Sequence, residues 1–374
     1  MKYEVVIGAN YGDEAKGTTV ARIARNYKLQ GKQSILGALT NGGAQRGHTV
    51  YYPSFSHTFK HFSSATFEGA TSVFLETFIL NPMAFVIEYE QIRKKDPLLG
   101  EFKSYFSMFC KWSTPFDIMA NQAIVEKEGK FNSCGMGIWE TIKRSENIHL
   151  NIGAFNALSR EKQVEYLKSI KRYYEERRGI RDIMRPENLL IWDEKGLMEH
   201  FIDDVEFFID HTIYYTNSRT LLDSGLFDVV IFENGQGLLL GDNGTDDPDT
   251  TPSITGCADM KRYLRSGDDA TFTYVTRTYL TRHGNPDTFD GNEFEPFFEE
   301  EDNQFNEFQG GMVYGNLDTA ALVERIKKDQ MNVADALGTK RLKLAVTHCD
   351  VLDREKDFKN LGLDVDFFGT RYIV

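Results

Sequence analysis

The sequence predicts an α/β protein with a mostly parallel central sheet that is flanked by helices and carries long insertions. Short apolar runs that suit buried parallel strands alternate with segments whose apolar residues recur at helical spacing. The chain has 374 residues, of which 41% are hydrophobic, so it is long enough to bury a large core. Neither an internal repeat nor a proline-rich linker divides it, and we expect a single domain over residues 1–374.

The predicted strands are short apolar runs, and the first of them (KYEVVIG) ends at a glycine. The strands are predicted at residues 2–8, 34–39, 228–233, 271–275 and 342–347. The helices are predicted at residues 17–28, 82–95 and 116–128, with further exposed helices in the charged segment 155–185. Residues 284–315 have no periodicity, and we expect a loop over a site or a surface excursion there.

The charge and the cysteines bear on partners and compartment. The net charge is −13 and no long run of Lys or Arg is present, so we expect neither nucleic acid nor an anionic membrane as a partner. The four cysteines are dispersed without metal-ligand spacing, which is typical of free thiols in a reducing compartment. The chain enters a strand directly and contains no apolar run of about 18 residues. We therefore expect a cytoplasmic protein.

Residues 8–19 (GANYGDEAKGTT) lie between the first predicted strand and the first predicted helix. In that position, backbone N–H groups and the helix N-terminus face an anion. Lys16 adds a positive charge, Thr18 or Thr19 adds a hydroxyl group, and Asp13 can hold Mg²⁺ or accept a proton. The segment departs from the GxxxxGK[ST] pattern, because alanine precedes the lysine and glycine follows it. Two interpretations remain, namely a phosphate-binding turn in a P-loop-NTPase-like sheet and an ordinary strand-to-helix turn with a capping aspartate.

Residues 12–17 (GDEAKG) closely resemble the GDEGKG signature of the adenylosuccinate synthetase family, with alanine in place of one glycine. Other segments resemble further signatures of that family and keep its order along the chain. Residues 42–49 (GGAQRGHT) resemble GGxNAGHT, and residues 232–244 (FENGQGLLLGDNG) resemble FEGAQGxxLDxxxG. Weaker resemblances are found at residues 80–82 (LNP), 132–140 (NSCGMGIWE) and 347–353 (THCDVLD). Because this collinearity is more specific than any single motif, the chain is identified as a member of the family.

The resemblance implies an enzyme, a C–N ligase of purine biosynthesis that works in two steps. GTP phosphorylates the 6-oxygen of inosinate, and the amino group of aspartate then displaces that phosphate. The first step is needed because an amide-like purine oxygen is a poor leaving group, and a base must take the N1 proton before the oxygen attacks the γ-phosphate. The resemblance also implies Mg²⁺ as the cofactor and a homodimer as the assembly.

The same resemblance implies the catalytic residues. Asp13 matches the base and a Mg²⁺ ligand, and the carbonyl group of Gly47 matches a second metal ligand. His48 matches the acid that stabilises charge on the transferred phosphoryl group, and Lys16 matches the residue that neutralises phosphate charge. Gln236 matches the amide that contacts the region of the 6-oxygen. From the residues alone, His48 as a satisfied turn histidine and Gln236 as a cap of its turn remain alternatives.

A second set of residues is predicted to bind nucleotide or phosphate. Thr251 falls near a hydroxyl that holds the monophosphate, and Arg144 falls near the arginine that reaches a partner subunit's phosphate. Asp350 matches the carboxylate that reads guanine, with helix capping as an alternative, and His348 stands where the family has a lysine over the guanine. The full set is Gly12, Gly17, Thr18, Asn41, Thr49, Ser133, Arg144, Thr251, Arg282, His348 and Asp350.

The site for the amine substrate departs most from the family. Its members bind the carboxylates of aspartate with an arginine-rich loop, whereas no Lys or Arg occurs here between Arg282 and Arg325, and residues 299–302 (EEED) are acidic. Such a segment repels a dicarboxylate rather than clamping it. Three explanations stay open. A distant cation such as Arg277 or Arg282 replaces the loop, the amine is neutral, cationic or ammonia, or the protein stops at phosphoryl transfer.

The nucleotides depart as well. Because His348 replaces a lysine, ATP and dATP are candidates beside GTP. The chain is shorter than typical bacterial members, and in this it is similar to bacteriophage relatives that make 2-aminoadenylosuccinate from dGMP. Those relatives lack the catalytic aspartate, whereas Asp13 is present here, which favours a purine without a 2-amino group, such as inosinate. The alternatives to a ligase are a nucleotide phosphotransferase or hydrolase without an amine step, and a nucleotide-binding protein without turnover.

Overall fold

The computed structural model describes residues 1–100, 102–129, 133–241, 251, 253–284, 286–289, 291–295, 305–338 and 340–369. Its strands are β1 (Lys2–Gly8), β2 (Ile35–Leu39), β3 (Gly42–Gly43), β4 (His48–Tyr51), β5 (Ser56–Phe59), β6 (Thr71–Phe74), β7 (Phe78–Leu80), β8 (Ser104–Ser107), β9 (Lys111–Trp112), β10 (Thr212–Tyr215), β11 (Val229–Gly237), β12 (Asp269–Arg277), β13 (Leu280–His283), β14 (Met312–Gly315), β15 (Arg341–Thr347) and β16 (Asp364–Phe367). Its α-helices are α1 (Lys16–Leu29), α2 (Pro82–Lys95), α3 (Pro115–Glu128), α4 (Ile138–Ser145), α5 (Ile152–Asn156), α6 (Arg160–Arg172), α7 (Pro186–Trp192), α8 (Gly196–Asp210), α9 (Ser218–Leu222), α10 (Thr319–Leu337) and α11 (Glu355–Phe358).

A nine-stranded sheet forms the centre of the molecule. Its strand order is β10-β8-β6-β2-β11-β1-β12-β15-β16, and each pair of neighbours is parallel. Smaller sheets are formed by β3-β7-β9, by the antiparallel pair β4–β5 and by the hairpin β13–β14. This arrangement confirms the predicted α/β fold with a mostly parallel central sheet, helices around it and long insertions.

The five strands that the sequence predicts are the five adjacent strands at the centre of the sheet. They are β2, β11, β1, β12 and β15, and their residues form nearly continuous buried runs apart from the first three residues of β15. The four strands that the sequence pattern does not reveal lie further out. Each of these has only four residues, and β10 and β16 are partly exposed. A strand buried on both faces is uniformly apolar, whereas a short strand near the edge has no such signal.

The predicted helices correspond to α1, α2 and α3, and local sequence explains where the last of these begins. The side chains and backbone groups of Thr114 and Asp117 form a reciprocal capping box, and Pro115 occupies the first turn. In the segment predicted to hold exposed helices, α6 buries Leu167 and Ile170 completely. Helix α8 was not predicted, although its buried residues recur at helical spacing, as in Phe201, Ile202, Val205 and Phe208.

An aromatic core fastens α2 and α8 to the β6–β8 side of the sheet. Phe85 of α2 and Phe208 of α8 lie with ring centroids 4.9 Å apart, and Phe208 also contacts Phe74 of β6 and Phe106 of β8. Rings of this size dominate the apolar area removed from water. The other face of the central strands packs against α10 through Leu322 and neighbouring residues. The sheet is therefore a rigid platform for the loops at its carboxyl edge.

The fold tests three further sequence predictions only in part: the absence of a membrane span, the long loop and the single domain. Among the described residues, no helix has both the length and the apolar character needed to cross a membrane. The long non-periodic segment 284–315 ends in β14, which pairs with β13, while its residues 285, 290 and 296–304 lie outside the description. The single domain over residues 1–374 stays a prediction.

Candidate active site

The predicted catalytic residues and one predicted nucleotide contact, His348, lie at the carboxyl edge of the central strands. Asp13 and Lys16 follow β1, Gln236 lies at the end of β11, and His348 follows β15. His48 begins β4, a short way after β2. Ligand sites of open parallel sheets lie outside the carboxyl ends of the strands, so this position alone marks the cluster as a candidate site.

The turn between β1 and α1 packs closely against its neighbours. A Cβ atom on Gly12, whose φ is +110°, would lie 3.0 Å from main-chain atoms of Gln236, and one on Gly17 would lie 2.8 Å from the Cβ atom of His48. Ala15 precedes α1 with φ of 69°, a left-handed conformation that costs a non-glycine residue about 1 kcal/mol. The turn, the end of β11 and the start of β4 thus share one compact surface.

Glu14 and Lys16 form an oppositely charged pair inside this turn. Oε1 of Glu14 accepts hydrogen bonds from the N–H groups of Asn10 (3.1 Å) and Gly12 (2.8 Å). Nζ of Lys16 donates to the carbonyl group of Gly12 and lies 3.7 Å from Oε2 of Glu14. Burial raises the pKa of Glu14 and lowers that of Lys16. Backbone N–H groups that hold a carboxylate in this way are also of the kind that binds phosphate oxygens.

Asp13 is the acidic residue of the turn that stays available. Its side chain is half-buried and makes no hydrogen bond to any residue that the structure describes. Its main chain is fixed, because Nε of Arg277 donates to its carbonyl group at 2.5 Å. A positioned carboxylate without a protein partner can accept a proton or bind a metal ion.

His48 and Glu233 form a second, fully buried pair. Nδ1 of His48 lies 2.6 Å from Oε1 of Glu233 and donates its proton to that carboxylate. The same carboxylate accepts hydrogen bonds from the hydroxyl groups of Ser63 (3.0 Å) and Ser64 (2.6 Å), and from the N–H group of Ser64 (3.0 Å). Glu233 therefore fixes both the ring orientation and the tautomer of His48.

The charge state of this pair follows from its surroundings. Burial lowers the pKa of His48 to about 4, against the opposing effect of Glu233. Burial alone would raise the pKa of Glu233, but its hydrogen bond and charge interaction with His48, together with Arg46 and Ser64, bring it down to about 2. In the neutral imidazole, Nδ1 carries the proton, so Nε2 has a lone pair and becomes a donor only when His48 is protonated.

Gln236 is held by a chain of hydrogen bonds that begins at Asn41. The side chain of Asn41 accepts from the N–H group of Gly235 (2.8 Å) and donates to Gly235 O (3.1 Å) and to Oγ of Ser253 (3.3 Å). Oγ of Ser253 donates to Oε1 of Gln236 at 3.0 Å. Gln236 has a left-handed backbone with φ of 61°. Its side-chain carbonyl group thereby accepts a hydrogen bond within the protein.

The predicted metal ligands fit a magnesium ion that is shared with phosphate. Mg²⁺ is usually held by one or two carboxylates together with substrate phosphates and water. Asp13 offers the carboxylate, and Gly47, which is exposed next to His48, offers a carbonyl group. In the part of the chain that the structure describes, no three His, Cys, Asp or Glu side chains cluster so as to hold a metal ion by themselves.

The threonines predicted to bind phosphate also stabilise the fold of the site. Oγ1 of Thr18 donates to the carbonyl group of Thr49 at 3.1 Å, which ties α1 to β4. Oγ1 of Thr49 lies 2.9 Å from that of Thr58 on the partner strand β5. Both hydroxyl groups lie near Gly17 and His48, so the structure brings them to the site that the sequence assigns to them.

His348 and Asp350 follow β15 at the carboxyl edge of the sheet, which is called the outer end of the site below. His348 has φ of 59°, and its Nδ1 atom lies 2.9 Å from the hydroxyl group of Thr347, which in turn donates to Glu14 O at 3.2 Å. Burial, together with Arg277, lowers the pKa of His348 well below its usual value. His348 is therefore neutral at this position, whereas the lysine of the family carries a positive charge. Asp350 is exposed.

Arg144 is placed differently from the sequence prediction. It is buried, its Nε and Nη2 atoms bond the carboxylate of Asp117 at 2.9 and 3.1 Å, and its remaining contacts are with the carbonyl groups of Trp112 and Ile148. A guanidinium group so committed cannot reach a phosphate in a partner subunit without breaking a buried ion pair. We therefore do not carry Arg144 into the proposed site.

Three other residues that were predicted to contact nucleotide make contacts within the protein. Oγ of Ser133 donates to Asn121 at 3.0 Å. The guanidinium group of Arg282 lies 5.3 Å from the ring centroid of Tyr11 in the first turn. Thr251 donates its N–H group to Leu240 O at 2.8 Å, and the residues just before it lie outside the description.

A family model described as adenylosuccinate synthetase matches residues 5–359. The chain belongs to the adenylosuccinate synthetase family. The identification that the motifs predict is thereby confirmed, and the match spans nearly the whole chain.

Individual relatives agree with this assignment. Adenylosuccinate synthetase of Finegoldia magna is 26% identical over 98% of this chain and 83% of its own length. The enzyme of Chlorobium chlorochromatii is 24% identical over 75% of this chain and 62% of its own length. Among solved structures, fully ligated adenylosuccinate synthetase of Plasmodium falciparum is 17% identical with a TM-score of 0.68, covering 93% of this chain and 77% of that one.

A second solved structure has the same fold. It is the succinoaminodeoxyadenylate synthetase of cyanophage S-2L, which was solved with dGMP and with dATP as energy donor. It is 12% identical, with a TM-score of 0.61, and covers 99% of this chain and 92% of that one. At such identities the two structures support the fold of this chain and not its substrates.

Family membership confirms the predicted class of enzyme. The chain is a C–N ligase of purine biosynthesis, which uses a nucleoside triphosphate to activate the 6-oxygen of a purine monophosphate for displacement by an amine. It therefore binds two nucleotides, and Mg²⁺ is the metal expected for the family.

Four residues of the site escaped the sequence reasoning. Glu14 and Glu233 lie within the quoted motifs, but a motif does not show which side chain is buried or which partner it holds. Ser253 and Arg46 act across many positions in the chain, since Arg46 contacts Glu233, 187 residues away. Only the departure of Arg46 from the alanine of the GGxNAGHT signature marks it in the sequence.

Proposed function

We propose that the chain phosphorylates the 6-oxygen of inosinate with a nucleoside triphosphate, and that an amine then displaces the phosphate. The observation that carries this proposal is the convergence of Asp13, the His48–Glu233 pair and Gln236 at one edge of the sheet. These groups supply a base, a charge-stabilising imidazole and a donor for a purine oxygen within one compact surface.

Asp13 is proposed as the base for the first step. Its carboxylate is free of protein hydrogen bonds among the described residues, and its backbone is fixed by Arg277. It accepts the N1 proton of the purine, so electron density moves to the 6-oxygen, which then attacks the γ-phosphorus atom. The side-chain N–H groups of Gln236 donate to that oxygen and hold it in line.

His48 and Lys16 are proposed to stabilise the phosphoryl group during transfer. An anion at Nε2 of His48 favours the protonated imidazole, which then donates a hydrogen bond to a phosphoryl oxygen. Lys16, held in the turn between β1 and α1, offsets phosphate charge once the triphosphate displaces the Glu14 interaction. When bound through Asp13 and Gly47, Mg²⁺ supplies further neutralisation of phosphate charge.

Gly12, Gly17, Thr18 and Thr49 are proposed to contact the phosphates through backbone and hydroxyl groups. Asn41 supports Gln236 through Gly235 and Ser253 rather than acting alone. At the outer end of the site, Asp350 and His348 are proposed to lie against the base of the triphosphate. Thr251, Ser133 and Arg282 stay predictions as nucleotide contacts.

The amine is the least constrained substrate. No Lys or Arg occurs in residues 283–324, the stretch that corresponds to the arginine-rich loop of the family. Arg277 and Arg282 are the nearest replacements in sequence, and both already have partners on the first turn. We propose that aspartate binds through these arginines or that a neutral or cationic amine takes its place.

The test is a matrix of substrates read in two ways. GTP, ATP or dATP is combined with inosinate or dGMP, Mg²⁺ and a panel of amines that contains aspartate, ammonia, and neutral and cationic amino acids. Phosphate release and the mass of the nucleotide product are both measured. Inosinate with one amine should give phosphate and a new C–N product. If no combination gives turnover, the proposal fails.

Family membership does not favour the alternative function that the sequence left open, but the missing cations make a direct test of the amine step worthwhile. A phosphotransferase or phosphohydrolase without an amine step would release phosphate, or modify the purine, at the same rate with and without any amine. The two functions are separated by omitting the amine from the active combination. The homodimer and the cytoplasmic location remain proposals, and sedimentation of the purified protein tests the first.

A further inference from the structure

Arg46 is a buried arginine that the proposed mechanism does not use. It lies between β3 and β4, is 5% exposed, and its guanidinium carbon is 5.3 Å from the ring centroid of Phe78. Burying a guanidinium group opposes folding unless hydrogen bonds and a counter-charge offset its lost hydration. The presence of a buried arginine at the edge of the site therefore needs an explanation.

One nitrogen of Arg46 joins the ends of two neighbouring strands. Nη2 donates to the carbonyl groups of Asn41 and Glu233, both at 2.8 Å. Asn41 follows β2, while Glu233 lies in β11 opposite Leu39 of β2. The two carbonyl groups belong to residues whose side chains hold different halves of the site. Asn41 leads through Ser253 to Gln236, and Glu233 binds His48.

The neighbouring glycine makes room for this arrangement. A Cβ atom on Gly235 would lie 3.1 Å from Nε of Arg46 and 3.2 Å from Asn41 O, which is tighter than ordinary contact. The family signatures quoted above carry alanine at both positions, so this chain has gained an arginine and lost a methyl group in two segments that touch. The two changes therefore form a matched pair.

Stability alone does not account for the arginine. Its Nε and Nη1 atoms are buried and find no hydrogen-bond partner among the described residues. Unsatisfied buried donors oppose folding, and an apolar side chain of similar volume would avoid that cost. What the arginine provides instead is a connection between the His48 half and the Gln236 half.

We propose that Arg46 is a positioning residue of the ligase centre, which fixes the His48–Glu233 pair and the Gln236 turn relative to each other through the carbonyl groups of Glu233 and Asn41. The effect rests on the proposed function of those two halves. With Arg46 in place, the imidazole that meets the phosphoryl group and the amide that meets the purine oxygen keep one separation, which phosphoryl transfer requires.

The first experiment compares Arg46→Met with Arg46→Lys. Methionine keeps the length and removes every donor, whereas lysine keeps a charge and a donor. Arg46→Met should lower kcat at least tenfold while KM for the triphosphate stays within about threefold, since misplacement of catalytic groups affects the transition state. Arg46→Lys should recover part of the loss. Equal kcat in the wild type and in Arg46→Met would overturn the inference.

A control variant separates the positioning role of Arg46 from the general effect of removing an arginine from the fold. Arg219, 19% exposed at its side chain, pairs with Asp223 and Asp268, and Asp268 precedes the start of β12 at the opposite edge of the sheet. Arg219→Met should lower the midpoint of thermal unfolding and leave kcat unchanged. If it lowers kcat as much as Arg46→Met does, the effect is one of general stability and the inference fails.

The matched pair is tested by a double-mutant cycle. Gly235→Ala should reduce kcat in the wild type, because the new methyl group displaces the guanidinium group, and should have little further effect in Arg46→Ala. Additive losses would show that the two positions do not act together and would contradict the inference.

A spectroscopic measurement that needs no turnover tests the role of Arg46 independently of the substrates. The hydrogen-bonded Nδ1–H proton of His48 gives a low-field proton NMR signal, which is assigned by its loss in His48→Asn. Arg46→Met should shift or broaden that signal, and Arg219→Met should not. A responsive signal in a protein that turns over no purine would reject the proposed function alone. An unchanged signal in Arg46→Met of an active protein would reject the role of Arg46 alone.

Discussion

At the scale of single residues, the charged side chains of the site differ in how far the fold has committed them. Glu233 has all of its acceptor positions used by His48, Ser63 and Ser64, and Glu14 is held by backbone N–H groups. Among the described residues, Asp13 is held through its main chain and not through its carboxylate. A group left free in a folded site is available for chemistry, and its removal should affect activity more than stability.

Asp13→Asn is expected to lower the rate of phosphate release by about 10²- to 10⁴-fold, which is the usual contribution of a general base. The midpoint of thermal unfolding should stay close to that of the wild type, because the carboxylate has no hydrogen-bond partner to lose in the part of the chain that the structure describes. Asp210→Asn, at the exposed end of α8, is the matched control and should retain full activity. Wild-type activity in Asp13→Asn would remove this residue from the mechanism.

Glu233→Gln is expected to destabilise the protein in a pH-dependent manner. The pKa of Glu233 is about 2 in the folded protein, below its ordinary value near 4.5, so its ionised form stabilises the fold above about pH 4.5. That contribution, on the order of 3 kcal/mol at pH 7, is lost as the pH falls toward 2. Urea unfolding should show a large deficit for the variant at pH 7 and a clearly smaller one at about pH 3. A constant deficit would show that Glu233 does not titrate in this way.

The sequence could identify the free residues of the site better than the committed ones. Asp13, His48 and Gln236 stand in short motifs whose spacing survives in this chain. The partners that orient them are distant in sequence, as Glu233 is from Ser63, 170 positions earlier. A single sequence contains no signal for such pairs. The buried role of Arg144 was hidden for the same reason, since Asp117 lies 27 positions away.

At the scale of elements, the start of α1 is strained by one side chain. Ala15 occupies the left-handed conformation just before the helix, where the family signature has glycine. Ala15→Gly should therefore raise the free energy of unfolding by about 0.5–1 kcal/mol. Ala21→Gly, in the buried interior of the same helix, should lower it by about 1 kcal/mol or more. Urea unfolding of both variants checks the opposite signs, and destabilisation by Ala15→Gly would contradict the strain.

The strands that the sequence predicts are those whose burial leaves a clear apolar pattern in the sequence. The five central strands contain the longest buried runs of the sheet, because both of their faces are covered. The outer strands have mixed sequences, since their stability comes from pairing with a neighbour rather than from their own apolar content. The hairpin β13–β14 joins segments on either side of a long non-periodic stretch, so local pattern could not reveal it.

At the scale of the whole molecule, the two nucleotides should stabilise the fold through different halves of the site. At a concentration of 100 times its Kd, a ligand adds about 2.7 kcal/mol to the free energy of unfolding. A triphosphate with Mg²⁺ should raise the melting temperature of the wild type but not that of Lys16→Met. A purine monophosphate should raise the melting temperature of both. Loss of both effects in Lys16→Met would indicate that the variant is misfolded rather than specifically impaired.

The described residues other than glycine that have a positive φ are Ala15, Gln236 and His348, and all three lie at the carboxyl edge where the nucleotides are proposed to bind. The backbone strain of these left-handed conformations is therefore concentrated at this edge. Amide hydrogens of these three turns should therefore exchange with solvent through local opening, at a lower cost than those of the buried strands beside them. Substrate binding would then order main-chain segments that otherwise open locally. Part of the selectivity for a correct pair of nucleotides would therefore come from the ordering of these turns.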